Sequence, residues 1–271
     1  MSRITITWSV GLACNISCEY CIVNEYKTNN KLTPLDLEAA KKFIIGFNKP
    51  MHIHFTGGEP LMDINVIDFI SWLTNNGHLV SINTNLTINI DKFIERVNMR
   101  NIQTLMVSFH IDELLRLNLM DIWISNYKKI SKIHKPVADV VAYPKYSDED
   151  VKNHIKLYRK LHNISYKYVP FIGKYNDVKY PFSYTDEELR RFNLEKDKNA
   201  QKLAPSSTRY CNAGKTYFVC NENNILRCFS GKWGEFGTIY DFNYDVVECG
   251  GVTKCEFSFC PCPEFANVIY K

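Results

Sequence analysis

The chain has 271 residues, of which 45% are apolar and 23% charged, and its 33 Lys and Arg against 29 Asp and Glu leave a formal charge of +4. This length buries a full hydrophobic core without crosslinks, and the composition excludes a disordered or fibrous chain. So small a net charge argues against a nucleic-acid partner, whose backbone needs a concentrated basic face. The number that stands apart is ten cysteines. The opening MSRITITWSV lacks the basic segment, apolar run and cleavage site of a secretory signal, and no stretch reaches the length of a membrane span. A cytoplasmic chain without membrane attachment is therefore expected, and in that reducing compartment clustered cysteines bind metal more often than they pair.

In chain order, β-rich runs alternate with amphipathic segments. Ile4 to Val10 reads as a strand, Pro34 to Phe47 as a helix entered through Thr33 as cap, and His52 to Phe55 as a strand. A helix Asn65 to Asn75, a strand Leu79 to Asn83, a weak helix Ile90 to Val97 and a strand Thr104 to Phe109 follow. A helix Met120 to Ile133, a strand Val137 to Ala142, a helix Asp148 to His162 behind a Ser147–Asp150 capping box, and a strand Tyr166 to Phe171 complete the series. Strand–helix units of this kind predict an α/β fold: a partial (β/α)6 TIM-like barrel of parallel strands with right-handed crossovers, followed by a small cysteine-rich β-hairpin and helix domain. The expected division is a barrel over 1–180, a linker with a helix capped by Thr185 and Glu188 over 181–208, and a cysteine-rich unit over 209–271.

A parallel barrel carries its chemistry at the C-terminal ends of its strands. The first such loop reads GLACNISCEYC, with Cys14, Cys18 and Cys21 at CxxxCxxC spacing. Three thiolates in one loop can hold three corners of an iron–sulfur cubane and leave the fourth iron open for a ligand. Structural zinc needs a fourth protein ligand, and the nearest histidines, His52 and His54, fall on one face of a strand where alternation makes them core or sheet-face residues. The second strand runs into FTGGEP, Phe55 to Pro60.

A CxxxCxxC loop after the first strand, with Tyr20 before its last cysteine and GGEP at the end of the second, resembles the radical S-adenosylmethionine (SAM) superfamily over about residues 4 to 175. The resemblance implies that Cys14, Cys18 and Cys21 bind a [4Fe–4S] cluster whose open iron takes the SAM amino and carboxylate groups. It implies that Gly57, Gly58 and Glu59 hold the SAM ammonium, and that Thr84, Asn85 and Ser108 correspond to polar SAM contacts after the third and fourth strands. His110 stands where many relatives carry Asp, which leaves it either a substrate contact or proton donor or a histidine satisfied at a strand end. Val140 to Tyr143 and Phe171 read either as pocket wall or as core. An external reductant such as flavodoxin or ferredoxin is the implied electron source.

The remaining cysteines lie in 211–262. Thr216 to Cys220 and Ile225 to Phe229 alternate as a hairpin around Asn221 to Asn224, bringing Cys211 and Cys228 to one end of a small sheet. The tail CEFSFCPC adds Cys255, Cys260 and Cys262. The segment resembles the twitch domain, the shortened relative of the SPASM domain, which carries one auxiliary [4Fe–4S] cluster. Two hairpin cysteines and two from the tail would complete it, Cys211, Cys228, Cys260 and Cys262 being favoured with Cys255 as competitor; zinc satisfies the same thiolates. Cys220 and Cys249 read as buried packing, with Cys249 alternatively a hydrogen-atom donor to a substrate radical as in epimerases.

The resemblance thus implies an oxidoreductase that abstracts a hydrogen atom from a small polar substrate such as a sugar or nucleotide, in an oxidation. The start of the chain at the first barrel strand is read as favouring a small molecule over a leader-guided peptide. Peptide modification by crosslinking or epimerisation is the alternative, and a non-catalytic iron–sulfur or zinc protein the distant one.

Overall fold

A computed structural model describes residues 3–22, 31–160, 164, 166–195, 209–231, 235–247, 251–255 and 268–270. Its elements in chain order are β1 (Thr5–Ser9), α1 (Leu37–Gly46), β2 (His52–Thr56), α2 (Ile64–Asn75), β3 (Leu79–Thr84), α3 (Asp91–Arg96), β4 (Ile102–Ser108), α4 (Ile111–Arg116), α5 (Met120–Ser131), β5 (Val137–Ala142), α6 (Asp148–Lys160) and β6 (Tyr166–Pro170). Then come β7 (Gly173–Tyr175), β8 (Val178–Tyr180), α7 (Asp186–Arg191), β9 (Arg209–Cys211), β10 (Tyr217–Asn221), β11 (Asn224–Leu226), β12 (Thr253–Lys254) and β13 (Val268–Tyr270).

Strands β1 to β6 lie side by side in chain order and pair in parallel, the arrangement of a partial TIM-like barrel. Alternation along each strand explains why. One set of side chains, Ile6, Trp8, Ile53, Phe55, Val80, Ile82, Leu105, Val107, Ala138 and Val140, is buried in one continuous core with Phe43 of α1, Phe69 of α2 and Trp123 of α5. Trp8 shows the packing: its ring meets Phe43 and Phe69 edge-on at 6.0 and 5.1 Å. Burying an aromatic of this size contributes roughly 1.5–3 kcal/mol or more through area alone.

The opposite set is polar. His52 and His54 are buried there, their Nε2 atoms 2.8 Å from Ser81 Oγ and 3.0 Å from Asn83 Oδ1 on the neighbouring strand. Burial holds both imidazoles neutral, with pKa values lowered to about 4. A cavity of about 300 Å³ lined by His52, Ser81, Gln103, Thr104, Met106, Val137 and Lys167 opens toward the starts of these strands, away from the loops that carry the motifs.

Three expectations change. Helix α1 starts later than Pro34, because Asp36 is its cap and accepts from the Ala39 N–H at 3.0 Å. Helix α4, absent from the periodicity reading, opens with Asp112 and Glu113 and closes on Arg116, the charge order that a helix dipole favours. The hairpin β10–β11 does not form a small sheet of its own: β10 pairs in parallel with β1, residue for residue from Thr5 and Tyr217 to Ser9 and Asn221, and so covers what would otherwise be an exposed edge. Phe242 and Tyr244 then pack on Phe43 of α1 and on Phe47, which caps its C-terminus. The capping boxes at Ser147 and Thr185 form as expected.

Candidate functional site

The parallel pairing of β1 and β2 continues past the strand ends into both motif loops. Val10 N–H donates to Thr56 O at 3.0 Å, Gly58 N–H to Gly11 O at 2.8 Å and Glu59 N–H to Ala13 O at 2.8 Å. The GG pair makes this approach possible. Gly57 has φ +125°, and a Cβ on Gly58 would stand 1.9 Å from the Ala13 carbonyl oxygen. The space beside these glycines is thus filled by the cysteine loop itself.

Glu59 is buried, and its carboxylate accepts from Leu61 N–H at 3.0 Å, Thr84 Oγ1 at 2.8 Å and Asn85 N–H at 2.6 Å. Burial pushes its pKa up to about 7 while the three donors pull the other way. Glu59 therefore ties the end of β2 to the end of β3. Thr84 and Asn85 are nearly buried, and Asn85 Nδ2 lies 3.6 Å from Cys14 Sγ.

Within the cysteine loop, Cys18 is buried, Cys14 and Cys21 are half-buried, and Cys21 N–H closes a turn on Cys18 O at 3.1 Å. Burial, then Cys21, Glu113 and Cys14, all push the Cys18 thiol upward. Three sulfurs in mutual electrostatic reach, with a side-chain amide donating to one of them, are a donor set that a cationic iron–sulfur cluster neutralises. Among the described residues no three His, Cys, Asp or Glu converge closely enough to cage a single metal ion.

Helix α4 braces the loop from the other side. Ser17 N–H, between Cys14 and Cys18, donates to Glu113 Oε2 at 2.9 Å, and Arg116 clamps the same carboxylate through Nε and Nη2 at 2.8 and 2.7 Å. Composition at the ends of IDELLR could have revealed this helix; its contact with a loop about 96 residues earlier in the chain could not be read from pattern. Asn15 and Thr87, which hydrogen-bond to one another and to Asn85, also escaped the motif reading.

His110 precedes α4 and its Nδ1 lies 3.0 Å from Tyr20 Oη. Burial lowers its pKa to about 4, so the ring is neutral at pH 7. Ser108 ends β4, half-buried, and its carbonyl accepts from Trp123 Nε1 at 3.3 Å. Tyr143 and Phe171 pack edge-on at 5.2 Å in a second apolar cluster that includes Ile16, Cys18 and Tyr20, while Val140 belongs to the main core. Those rings support the cysteine loop from beneath.

Of the C-terminal cysteines, Cys211 of β9 and Cys228 pack against one small cluster of Ala213, Tyr217, Val219 and Leu226. Cys255 directly follows β12, whose Thr253 pairs with Cys211. Cys220 is fully buried in the main core, as packing predicts. Cys249, Cys260 and Cys262 lie outside the described residues.

The fold is thus a parallel α/β half-barrel whose three-cysteine loop is pinned to a GGEP loop at the strand ends. The sequence profile of the Radical SAM superfamily matches residues 8–158, more than half of the chain, and the protein belongs to that superfamily. A [4Fe–4S] cluster and SAM are its cofactors. A Methanocaldococcus jannaschii protein, MJ0907, is 32% identical over 98 residues, 33% of this chain and 33% of its own length. The fold is similar to Streptococcus suis SuiB bound to S-adenosylmethionine, with a TM-score of 0.62 at 15% identity over 90% of this chain and 65% of that one. It is also similar to anSMEcpe with bound AdoMet and Cp18Cys peptide, with a TM-score of 0.61 at 16% identity over 90% of this chain and 80% of that one. The chain thus spans about a third of the length of MJ0907 and 65% of that of SuiB. Among the described residues no helix is long and apolar enough to cross a membrane.

Proposed function

We propose that Cys14, Cys18 and Cys21 hold the [4Fe–4S] cluster and that the protein abstracts a hydrogen atom from a small polar substrate, in an oxidation. The observation that carries this reading is the backbone bonding of the GGEP loop to the cysteine loop at Gly11 and Ala13, which brings the two cofactor motifs into contact at the strand ends. Held by those three thiolates, the cluster would supply one-electron reductive cleavage of SAM, with an external reductant such as flavodoxin or ferredoxin as the electron source.

The chain's own residues do the rest. Gly57, Gly58 and Glu59 form the wall that receives the SAM ammonium, and Thr84, Asn85 and Ser108 line the adjoining strand ends. Tyr20 and the neutral His110 hold each other where the cysteine loop meets α4. The aromatic cluster of Tyr143, Tyr146 and Phe171 excludes water beneath the loop. Cys211 and Cys228, with two of Cys255, Cys260 and Cys262, hold an auxiliary cluster in a twitch-like unit over 209–271. Cys249 is proposed as the thiol that returns a hydrogen atom if the outcome is epimerisation.

A second reading, peptide modification, is favoured by two structures of like fold whose names record bound peptides, SuiB with precursor peptide SuiA and anSMEcpe with Cp18Cys. Anaerobic reconstitution tests the shared chemistry: reduced protein cleaves SAM to 5′-deoxyadenosine and Cys18→Ala abolishes the product, whereas unaffected cleavage would overturn the assignment. Deuterium transfer from a labelled sugar, nucleotide or peptide into 5′-deoxyadenosine then separates the two substrate readings.

A further inference from the structure

We propose that Asn85 is a positioning residue for the SAM-binding cluster: its side-chain amide donates an N–H···S hydrogen bond to Cys14 and raises the cluster's reduction potential. This rests on the reading of Cys14 as a cluster ligand and assigns Asn85 a part distinct from touching SAM.

The geometry leaves the amide one orientation. Asn85 Oδ1 accepts from the Thr87 backbone N–H at 3.0 Å and from Thr87 Oγ1 at 2.6 Å. A backbone N–H only donates, so the carbonyl side of the amide faces Thr87 and both amide hydrogens point away from it. Two acceptors meet them: Asn15 Oδ1 at 2.9 Å and Cys14 Sγ at 3.6 Å. Asn15 Nδ2 closes the ring by donating to Thr87 Oγ1 at 2.8 Å, and the Asn85 backbone N–H is itself held by Glu59 at 2.6 Å. The residue is 5% exposed, which limits competition from water for the donor.

An N–H dipole aimed at a thiolate sulfur stabilises negative charge there. Reduction adds one electron to the cluster, taken from the external reductant, and increases the negative charge that its sulfurs share. The donor therefore favours the reduced state over the oxidised one, and hydrogen bonds to the sulfurs are among the determinants of cluster potential. Glu59 acts on this bond at one remove, by fixing the backbone from which Asn85 reaches the sulfur.

The test is an EPR-monitored redox titration of the reconstituted full-length protein without SAM, following the signal that changes shape when SAM is added in a separate sample. Asn85→Ala is expected to lower the reduced-to-oxidised ratio at a given applied potential about tenfold, a shift of about 59 mV to more negative potential for a one-electron couple. Asn85→Asp, which turns a carboxylate oxygen toward the sulfur, is expected to shift it further in the same direction. Asn15→Ala, which removes one tether of the amide, is expected to shift it less.

Variants that bind iron like the parent and keep its potential would overturn the proposal, as would a change confined to SAM affinity. If Asn85→Ala fails to hold iron, Asn15→Ala and Thr87→Val decide by the same readout, an unchanged potential in both counting against it. Retention of the SAM-responsive signal in Cys14→Ala would instead overturn the ligand reading on which the role depends.

Discussion

Around Cys14, Cys18 and Cys21 the protein supplies its own framework: backbone bonds at Gly11 and Ala13, the Glu113 carboxylate on Ser17, and the Asn85 amide on Cys14. Cys211 and Cys228 are placed by other means, a three-residue strand in a small antiparallel sheet and contact with four buried apolar residues. The first region uses directional bonds from three separate elements, the ends of β2 and β3 and helix α4, each of which constrains the cysteine loop. In the second, strand pairing of β9 and packing on apolar neighbours hold the segments that carry the cysteines. Under the proposed function the first site presents one open iron, which needs directional control of its sulfurs, whereas a fully ligated auxiliary cluster would itself organise its ligands.

The largest expected effect comes from Gly58→Ala. The added Cβ meets the Ala13 backbone rather than a flexible side chain, so the two motif loops must separate, at a cost of roughly 3 kcal/mol or more and with loss of bound iron. Gly231→Ala, beside Cys228, meets the Cys228 carbonyl at 3.0 Å and the Arg227 backbone nitrogen at 3.2 Å, which need shifts of only a few tenths of an ångström, so it is expected to cost less than Gly58→Ala in urea unfolding. Equal costs would break the contrast.

If the proposed auxiliary cluster is present, Cys228→Ala lowers bound iron by about half, since one of two four-iron clusters would be lost. Zinc at the C-terminal site with iron unchanged would remove the auxiliary cluster. Glu113→Ala leaves the Ser17 N–H and the Arg116 guanidinium without their acceptor, and is expected to cost about 1–2 kcal/mol and speed iron release to a chelator. Glu113→Gln, which keeps an acceptor, should recover most of that loss, and Arg116→Ala, whose side chain is largely exposed, should cost less than either.

The smallest effect is a pH dependence of stability that belongs to the barrel and not to the C-terminal cysteines. His52, His54 and His110 titrate near 6.5 when unfolded and about 4 when folded, so between those values the unfolded state binds more protons and stability rises with pH. Glu59 has the opposite sign: its pKa rises from 4.5 to about 7 on folding, so the folded state holds the extra proton and stability falls across that range. Three groups outweigh one, giving a net rise from about pH 4 to about pH 6.5. His54→Gln should flatten the rise by on the order of 1 kcal/mol in unfolding measured at pH 5 and pH 7.

Much of the barrel could be read from pattern, because strand alternation and helix period report burial directly; the strand Val137–Ala142 has the same bounds in both readings. The motif cysteines and GGEP were legible as residue types at a spacing. Their partners were not. Glu113, Asn15 and Thr87 are ordinary polar residues, and only the approach of separate loops makes them part of a site. The glycine pair, read in the sequence as part of a SAM-contact motif, also seats the cysteine loop, a use that only the fold shows.

By itself the sequence determined the α/β class and the grouping of ten cysteines into two sets, which rest on local periodicity and spacing, and the family, which rests on the match of its sequence to the family profile. Only the tertiary structure decided that the C-terminal hairpin extends the barrel sheet beside β1, that Glu59 bridges two strand ends, and that an asparagine amide faces Cys14. Those are contacts between residues tens to hundreds of positions apart. Directional hydrogen bonds of that kind leave no periodic trace along the chain, because their partners become neighbours only when the sheet is assembled.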